Sequence, residues 1–310
     1  MNKDSKIYVA GHNGMVGSAI VRKLKELGFN NLILKSRKEL NLTNQFQVSQ
    51  FFHFERPEYV FLAAARVGGI KANNDFRADF IYENLMIQSN IIKASHDNRV
   101  KKLLFLGSSC IYPKLCQQPI KEEYLMTGLL ETSNDAYAVA KIAGIKMCQD
   151  FNKQYGDNFI SVMPTNLYGP NDNYDLETSH VLPSLIRKFH EAKTNNKDIV
   201  EIWGTGNPMR EFLYVDDLAD ACIHLMQNYN SSEIVNIGFG EDISIKDLAM
   251  LIKDIVGYNG DIYFNTDMPD GTPKKLLDVS KIKEIGWVAN TSLRDGITKT
   301  YKNYETEKKI

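Results

Sequence analysis

The sequence predicts an α/β fold, a doubly wound parallel sheet followed by a smaller C-terminal lobe. Three observations carry this expectation: short β-branched or apolar runs alternate with helix-length amphipathic stretches, a glycine-rich turn follows the first run, and the rhythm breaks beyond Pro164. The runs occupy 6–10, 31–35, 59–64, 102–106 and 159–163. Strands separated by segments of helix length pair in parallel, because a parallel partner is reached only through a long crossover, and such a sheet needs helices over both faces. Past Pro164, the stretch Tyr168-Gly169-Pro170-Asn171-Asp172-Asn173 reads as a turn or loop rather than another strand–helix repeat. A later run at 211–215, followed by a helix from about Asp216, is expected to return to the sheet. The anticipated division is therefore discontinuous, with 1–166 and 211–240 in the main domain and 167–210 and 241–310 in the lobe.

A chain of 310 residues fits one large domain or a main domain with a lobe. Its 37 Lys and Arg against 38 Asp and Glu leave a formal charge of -1, so no overall field draws it to nucleic acid or to an acidic membrane surface. No run approaches the roughly 18 apolar residues of a membrane span, and the opening MNKDSKIYVAG lacks the apolar centre of a secretory signal. A cytosolic protein is expected. Cys110, Cys116, Cys148 and Cys222 are scattered with no CxxC pair, which suggests reduced thiols rather than a metal site or a disulfide framework. The lysine-rich tail, 305–310, reads as a frayed terminus.

The first strand runs into Gly11-His12-Asn13-Gly14-Met15-Val16-Gly17, which opens an amphipathic helix ending near Gly28. Glycines there let the backbone turn tightly and approach a pyrophosphate, while the helix N-terminus supplies amide donors and positive potential. Dinucleotide binding on a Rossmann-type sheet is the reading; a plain structural turn is the alternative. The second strand ends Leu34-Lys35-Ser36-Arg37-Lys38, without the acidic residue that would hold a free ribose 2′-hydroxyl. Arg37 instead suits a 2′-phosphate, which favours NADP(H), although a solvated basic loop explains the same residues.

Tyr137-Ala138-Val139-Ala140-Lys141 puts a phenol and an ammonium at i and i+4 on one face of an expected helix. A neighbouring ammonium is expected to lower the phenol's pKa and ready it to protonate a carbonyl oxygen as hydride reaches the carbon. A second YxxxK, Tyr304 to Lys308, sits in the polar tail and is read as chance. Ser108 and Ser109, by contrast, follow the fourth strand, at the edge where doubly wound sheets bind ligands. Ser108, Tyr137 and Lys141 together resemble the triad of the extended short-chain dehydrogenases/reductases. Ser109 and Cys110 stand where sugar-nucleotide dehydratases of that superfamily carry Asp-Glu, which disfavours dehydration. Cys110, two residues beyond Ser108, is placed to act as a base beside the same carbonyl, although by the residues alone a buried structural cysteine is the commoner explanation.

Several longer runs resemble the GDP-L-fucose synthase family: the glycine turn, Ala63-Ala64-Ala65-Arg66-Val67-Gly68-Gly69-Ile70, Gly107-Ser108-Ser109-Cys110-Ile111-Tyr112-Pro113, Tyr137 through Gly144, and Met163-Pro164-Thr165-Asn166-Leu167-Tyr168-Gly169-Pro170. So do Ser179-His180-Val181, Trp203-Gly204, Pro208-Met209-Arg210-Glu211-Phe212 and Pro269-Asp270-Gly271-Thr272-Pro273. The resemblance implies epimerisation of GDP-4-keto-6-deoxy-D-mannose at C3 and C5, then reduction at C4 by NADPH. It implies Cys110 as base and His180 as acid, with Ser108 and Tyr137 on the C4 oxygen. It further implies that Lys141, Pro164, Thr165, Asn166, Leu167 and His180 join the glycine turn and Arg37 around NADP(H), and that Lys188, Trp203, Arg210 and Asp270 hold the substrate. Without it, His180 reads as a solvated histidine near a helix start, Trp203 as lobe core and Asp270 as a turn residue. Relatives often carry arginine where Lys188 and Asn13 stand. Segments 77–97 and 136–155 resemble the helices through which relatives pair, so a homodimer is expected. The alternatives are a C4 reductase of a related GDP-4-keto sugar, such as a 6-deoxyheptose, and a dinucleotide-sensing binding protein, for which an intact proton donor is superfluous.

Overall fold

A computed structural model describes residues 1–268 and 270–308. Pro269, quoted in the last motif, and the tail residues Lys309 and Ile310 lie outside them. In chain order, β1 (Ile7–Ala10), α1 (Met15–Glu26), β2 (Leu32–Ile33), α2 (Gln45–Glu55), β3 (Tyr59–Leu62), α3 (Ile70–Asp75), α4 (Arg77–Asp97), β4 (Lys102–Leu106), α5 (Asp135–Tyr155) and β5 (Phe159–Pro164) alternate strand with helix. The following part is less regular: β6 (Asn166–Tyr168), α6 (Val181–Thr194), β7 (Ile199–Trp203), β8 (Met209–Tyr214), α7 (Val215–Asn228), β9 (Val235–Ile237), β10 (Asp242–Ser244) and α8 (Ile245–Val256). The chain ends with β11 (Asp261–Asn265), β12 (Lys274–Lys275), α9 (Ser280–Glu284) and α10 (Leu293–Lys308).

The main sheet is parallel throughout, in the order β2-β1-β3-β4-β5-β9. Its strands are buried from end to end, as the side chains of β1, β4 and β5 show, because helices cover both faces. One helix group is α1 with α7, and the other is α2, α4 and α5. Gly144 lets α5 approach closely: a Cβ there would meet the Phe105 ring and the Gln88 side chain. The chain leaves β1 for β2 on one flank and then crosses to β3 on the other. The C-terminal ends of β1 and β3 therefore enclose the crevice where sheets of this kind hold ligands. A second hydrophobic cluster, including Leu182, Phe189, Phe212, Leu248 and Ile252, lies between α6, α8, α10 and the smaller sheets β10-β8-β12 and β11-β7. Tyr304 of the tail YxxxK belongs to this cluster, packed on Tyr174 and His190. No helix among the described residues is long and apolar enough to cross a membrane.

Two local expectations are corrected. The run at 31–35 pairs only over Leu32–Ile33, because Ser36 turns its amide and hydroxyl onto the Glu39 carboxylate and diverts the chain into a turn. The run at 211–215 forms a strand, but β8 pairs with β6, β10 and β12 instead of the main sheet. The returning strand is β9, which pairs with β5. β8 carries a fully buried Glu211 that needs donors of its own, which the antiparallel and parallel partners of the small sheet bring close.

Two of those donors are the backbone amides of Gly240 and Leu277, joined by Phe239 N and the Thr165 side chain. Gly240 N gives to one Glu211 oxygen at 2.7 Å and Leu277 N to the other at 3.0 Å, while the Glu211 carbonyl accepts from Asn166 Nδ2 at 2.8 Å. Burial pushes the Glu211 carboxyl above its ordinary value, and the amide bonds offset part of that rise. Buried Asn236 ties the same region together, accepting from Tyr112 Oη at 2.6 Å and donating to the Ile120 and Asp278 carbonyls. In Glu211→Gln a donor replaces one acceptor and faces an amide that also donates. We expect a loss of about 1–3 kcal/mol in chemical denaturation; an unchanged midpoint would show that the clamp carries no stability.

Candidate active site

The glycine turn follows β1 at the crevice. Gly11 adopts φ +85, and a Cβ on it would lie 2.7 Å from the Ala64 amide at the end of β3; one on Gly17 would collide with the Gly11 carbonyl. Gly14, at the N-terminus of α1, faces only ordinary contacts, and no side chain caps that helix or places an acid in its first turn. Asn13 and Gly14 are exposed, Met15 and Val16 half-exposed, and the buried His12 Nδ1 has no hydrogen-bond partner. An uncapped helix end with an orphaned donor or acceptor beside it fits a dinucleotide pyrophosphate. Arg37 lies on the loop after β2 with its side chain 81% exposed, 3.6 Å from a Glu83 oxygen. Glu39 is folded back on Ser36, so the carboxylate nearest in sequence is engaged elsewhere and the exposed Arg37 guanidinium has Glu83 as its ion-pair partner. Pro164, Thr165, Asn166 and Leu167 line the β5–β6 junction, held by Thr165 N on the Ile237 carbonyl.

Ser108 leaves the C-terminal end of β4 and caps a one-turn 3-10 helix, Ser109–Ile111, its Oγ accepting from the Cys110 amide at 3.2 Å. Tyr137 and Lys141 project from the first half of α5, and the Tyr137 hydroxyl hydrogen-bonds Ser108. Lys141 is buried beneath them: Nζ donates to the Leu106 carbonyl at 2.7 Å and lies 4.8 Å from the centre of the Phe105 ring and 5.7 Å from that of Tyr137. This overturns one expectation. Burial and the nearby Cys110 raise the phenol's pKa rather than lower it, with Ser108 offsetting part, and burial takes Lys141 from 10.5 to about 7. An ammonium enclosed by an aromatic floor loses more from lost solvent than it lends to its neighbour.

Cys110 is partly accessible, and its Sγ takes a hydrogen bond from Lys275 Nζ at 3.5 Å. Burial raises this thiol, but the Lys275 charge, with hydrogen bonds from Ser108, Lys275 and Asn134, outweighs it and brings the thiol below its ordinary value. His180 stands immediately before α6, makes no side-chain cap bond to it and is open to solvent. Its loop is seated on the Gly68-Gly69 run, where Gly69 N donates to the Thr178 carbonyl at 2.8 Å and a Cβ would crowd the Thr178 and Ser179 carbonyls. Partial desolvation and Lys275 lower the His180 pKa.

The remaining residues gather around the β7–β8 turn. Lys188 Nζ donates to the Glu201 carbonyl at 3.0 Å, two residues before Trp203, which is 61% exposed and so not lobe core. Asp270 accepts from Thr205 N at 2.9 Å and Thr205 Oγ1 at 2.6 Å, and its charge offsets part of the burial that lowers Arg210. The sequence reading missed Lys275, Asn134 and Glu211. Lys275 stands 165 residues from Cys110 and offers no local signal; its only trace is the Pro208–Phe212 motif, since Lys275 registers with Arg210 across β12 and β8.

A family model described as the NAD dependent epimerase/dehydratase family matches residues 7–238. The chain is 58% identical over 303 residues to GDP-L-fucose synthase 1 of Arabidopsis thaliana, covering 98% of this chain and 94% of that protein. It is 52% identical over 305 residues to GDP-L-fucose synthase of Escherichia coli K12, covering 96% and 95%. A solved GDP-mannoheptose C4 reductase from Campylobacter jejuni with NADP bound superimposes with a TM-score of 0.92 at 48% identity, over 98% of this chain and 99% of the other.

The buried lysine makes a thermodynamic prediction. Lys141 binds its proton more weakly when folded, so from about pH 7 upward the unfolded state holds more protons and stability rises with pH. In denaturant melts across that range, Lys141→Met should flatten the slope by up to about 1.4 kcal/mol per pH unit. Parallel curves for the two proteins would count against a depressed Lys141.

Proposed function

Because the chain belongs to the NAD-dependent epimerase/dehydratase family and within it to the GDP-L-fucose synthases, we propose that it converts GDP-4-keto-6-deoxy-D-mannose to GDP-L-fucose. The observation that carries this reading is the meeting of Cys110, Ser108 and Tyr137 at one point, with His180 near enough to feel the same Lys275 charge as Cys110. A C4 ketone acidifies the protons on both neighbouring carbons. Cys110, as thiolate, takes a proton from C3 or C5; the enolate oxygen rests against Ser108 and Tyr137; and His180 returns a proton to the opposite face. One acid–base pair serves both carbons in turn.

NADPH, when bound, supplies hydride to C4. Gly11, His12, Asn13, Gly14, Met15, Val16 and Gly17 would hold its pyrophosphate, Arg37 its 2′-phosphate, Lys141 and His180 its nicotinamide end, and residues 164–167 the adjoining wall. Tyr137, kept protonated by burial, gives its proton to the C4 oxygen. Lys188 and Arg210 face the diphosphate, with Trp203 and Asp270 toward the remainder of the GDP-sugar. The lobe that carries these four residues closes the site; it includes all of β8, while Leu277, Val279, Ile282 and Trp287 pack with the core of the main sheet rather than with the lobe. The setting is cytosolic, where free thiols stay reduced.

A second reading, C4 reduction of a related GDP-4-keto heptose, is favoured by the likeness to the heptose reductase. Retention of both Cys110 and His180 argues for epimerisation. The two separate on incubation with GDP-4-keto-6-deoxy-D-mannose and NADPH in deuterated solvent. The expected product is GDP-L-fucose with deuterium at C3 and C5. Cys110→Ser should stop that exchange while slow C4 reduction continues, and Tyr137→Phe should cut hydride transfer by about 10²-fold with exchange partly surviving. Reduction without exchange in the unaltered protein would leave only the reductase reading.

Pairing through α4 and α5 is the proposed assembly. Tyr82, Val139 and Tyr155 leave exposed apolar surface on these two packed helices, as an isologous contact requires. Light scattering at micromolar concentration should give twice the mass of the 35.3 kDa chain; a monomer defeats the proposal.

A further inference from the structure

We propose that Lys275 is a positioning residue for the reaction, an ammonium delivered by the second lobe that holds the Cys110 sulfur in place and in its reactive form as the base. The inference rests on the epimerase reading above. Its geometric support is the route by which Lys275 arrives. β12 pairs with β8, placing Lys275 beside Arg210, and Met209 N is tied to the Pro273 carbonyl at 2.8 Å. The next residues are laced to the loop that follows the Cys110 turn: Ile120 N donates to the Leu276 carbonyl at 2.7 Å, Asp278 N to the Ile120 carbonyl at 2.8 Å, and Leu276 N to Gln118 Oε1 at 2.9 Å. Leu277 N is held by Glu211. Both sides of the Cys110–Lys275 contact are thus fixed by backbone bonds.

The two lysines of β12 are used differently. Lys274 pairs with the Asp242 carboxylate at 3.1 Å, whereas Lys275, among the described residues, reaches no carboxylate and ends on the Cys110 sulfur. An ammonium without a carboxylate keeps its full effect on the group it touches. The groups around Cys110 and Lys275 are Ser108 from the same turn, Asn134 just before α5 and Tyr137 on it, His180 before α6, Cys116 from the following loop, and Arg210, which registers with Lys275 on β8. Of these Lys275 and Arg210 are the strongly basic side chains, and none is a carboxylate. Lys275 therefore favours the thiolate at Cys110 and opposes a lasting positive charge on His180, so that His180 gives up its proton readily once it holds one.

The test uses the NADP-loaded protein. The rate at which iodoacetamide alkylates Cys110, read by mass spectrometry with Cys110→Ser as background, is followed from about pH 6 to about pH 10, a range that brackets an ordinary thiol. In Lys275→Met the midpoint should move to higher pH, with roughly tenfold less alkylation at neutrality for each unit moved, and solvent exchange at C3 and C5 should fall in step. Lys275→Arg should retain the unaltered midpoint, which separates charge from a folding defect. An unmoved midpoint in Lys275→Met, with only a higher KM for the GDP-sugar, would overturn the inference and leave Lys275 a ligand of the diphosphate. A midpoint that moves in a protein showing no exchange at C3 or C5 would instead sink the epimerase reading and leave the Lys275–Cys110 linkage standing.

Discussion

The carboxylate of Glu211 is the constraint on which the arrangement of the two lobes depends. It is buried completely, and a buried carboxylate is tolerated only where donors replace the water it has lost. Two of its donors are main-chain amides, Gly240 after β9 and Leu277 after β12, so satisfying one side chain fixes two chain segments that are remote in sequence. The first segment belongs to the parallel sheet and the second leads out of the small one. Their junction orients β12, and through it Lys275, against the turn that carries Cys110.

The first half of the site sits on the C-terminal rim of the parallel sheet, while the sheet itself is inert. β1 and β3 end at the glycine turn, β4 ends at Ser108, and β5 runs into residues 164–167. Rigid strands with apolar flanks position loops of small and polar residues, which is why a local change in a loop can alter chemistry without disturbing the core. The second lobe contributes His180, Arg210 and Lys275 from a different hydrophobic cluster.

What the sequence revealed followed from locality. The strands at 59–62 and 102–106 could be read because a buried parallel strand is a continuous apolar run, and the glycine turn because its residues are contiguous. Tyr137 and Lys141 could be paired because helical spacing puts i and i+4 on one face. The failures were of the opposite kind. β9 is three residues long and carries a central asparagine, so no pattern announces it, although Asn236 is buried precisely because it bonds Tyr112, Ile120 and Asp278. Lys275 looks like half of a basic pair on a loop. Only the pairing with β8 and the Glu211 clamp show that its neighbour Lys274 turns to a carboxylate while it turns to a sulfur.

The expectation about Tyr137 failed for a reason that clarifies the site. Spacing predicts that Lys141 lies near the phenol, but it cannot say how much solvent either group retains. Burial removes it from both, and desolvation favours whichever form is neutral: phenol for tyrosine, free amine for lysine. A protonated phenol is the form that can donate to a carbonyl oxygen, so the same burial that weakens Lys141 as a cation keeps Tyr137 in its donating state. Cys110 shares the enclosure but needs the opposite outcome, because a base must be ionised. Burial alone would leave it a thiol. The ammonium of Lys275, brought in from outside the parallel sheet, breaks the symmetry and lets an acid and a base coexist against one carbonyl.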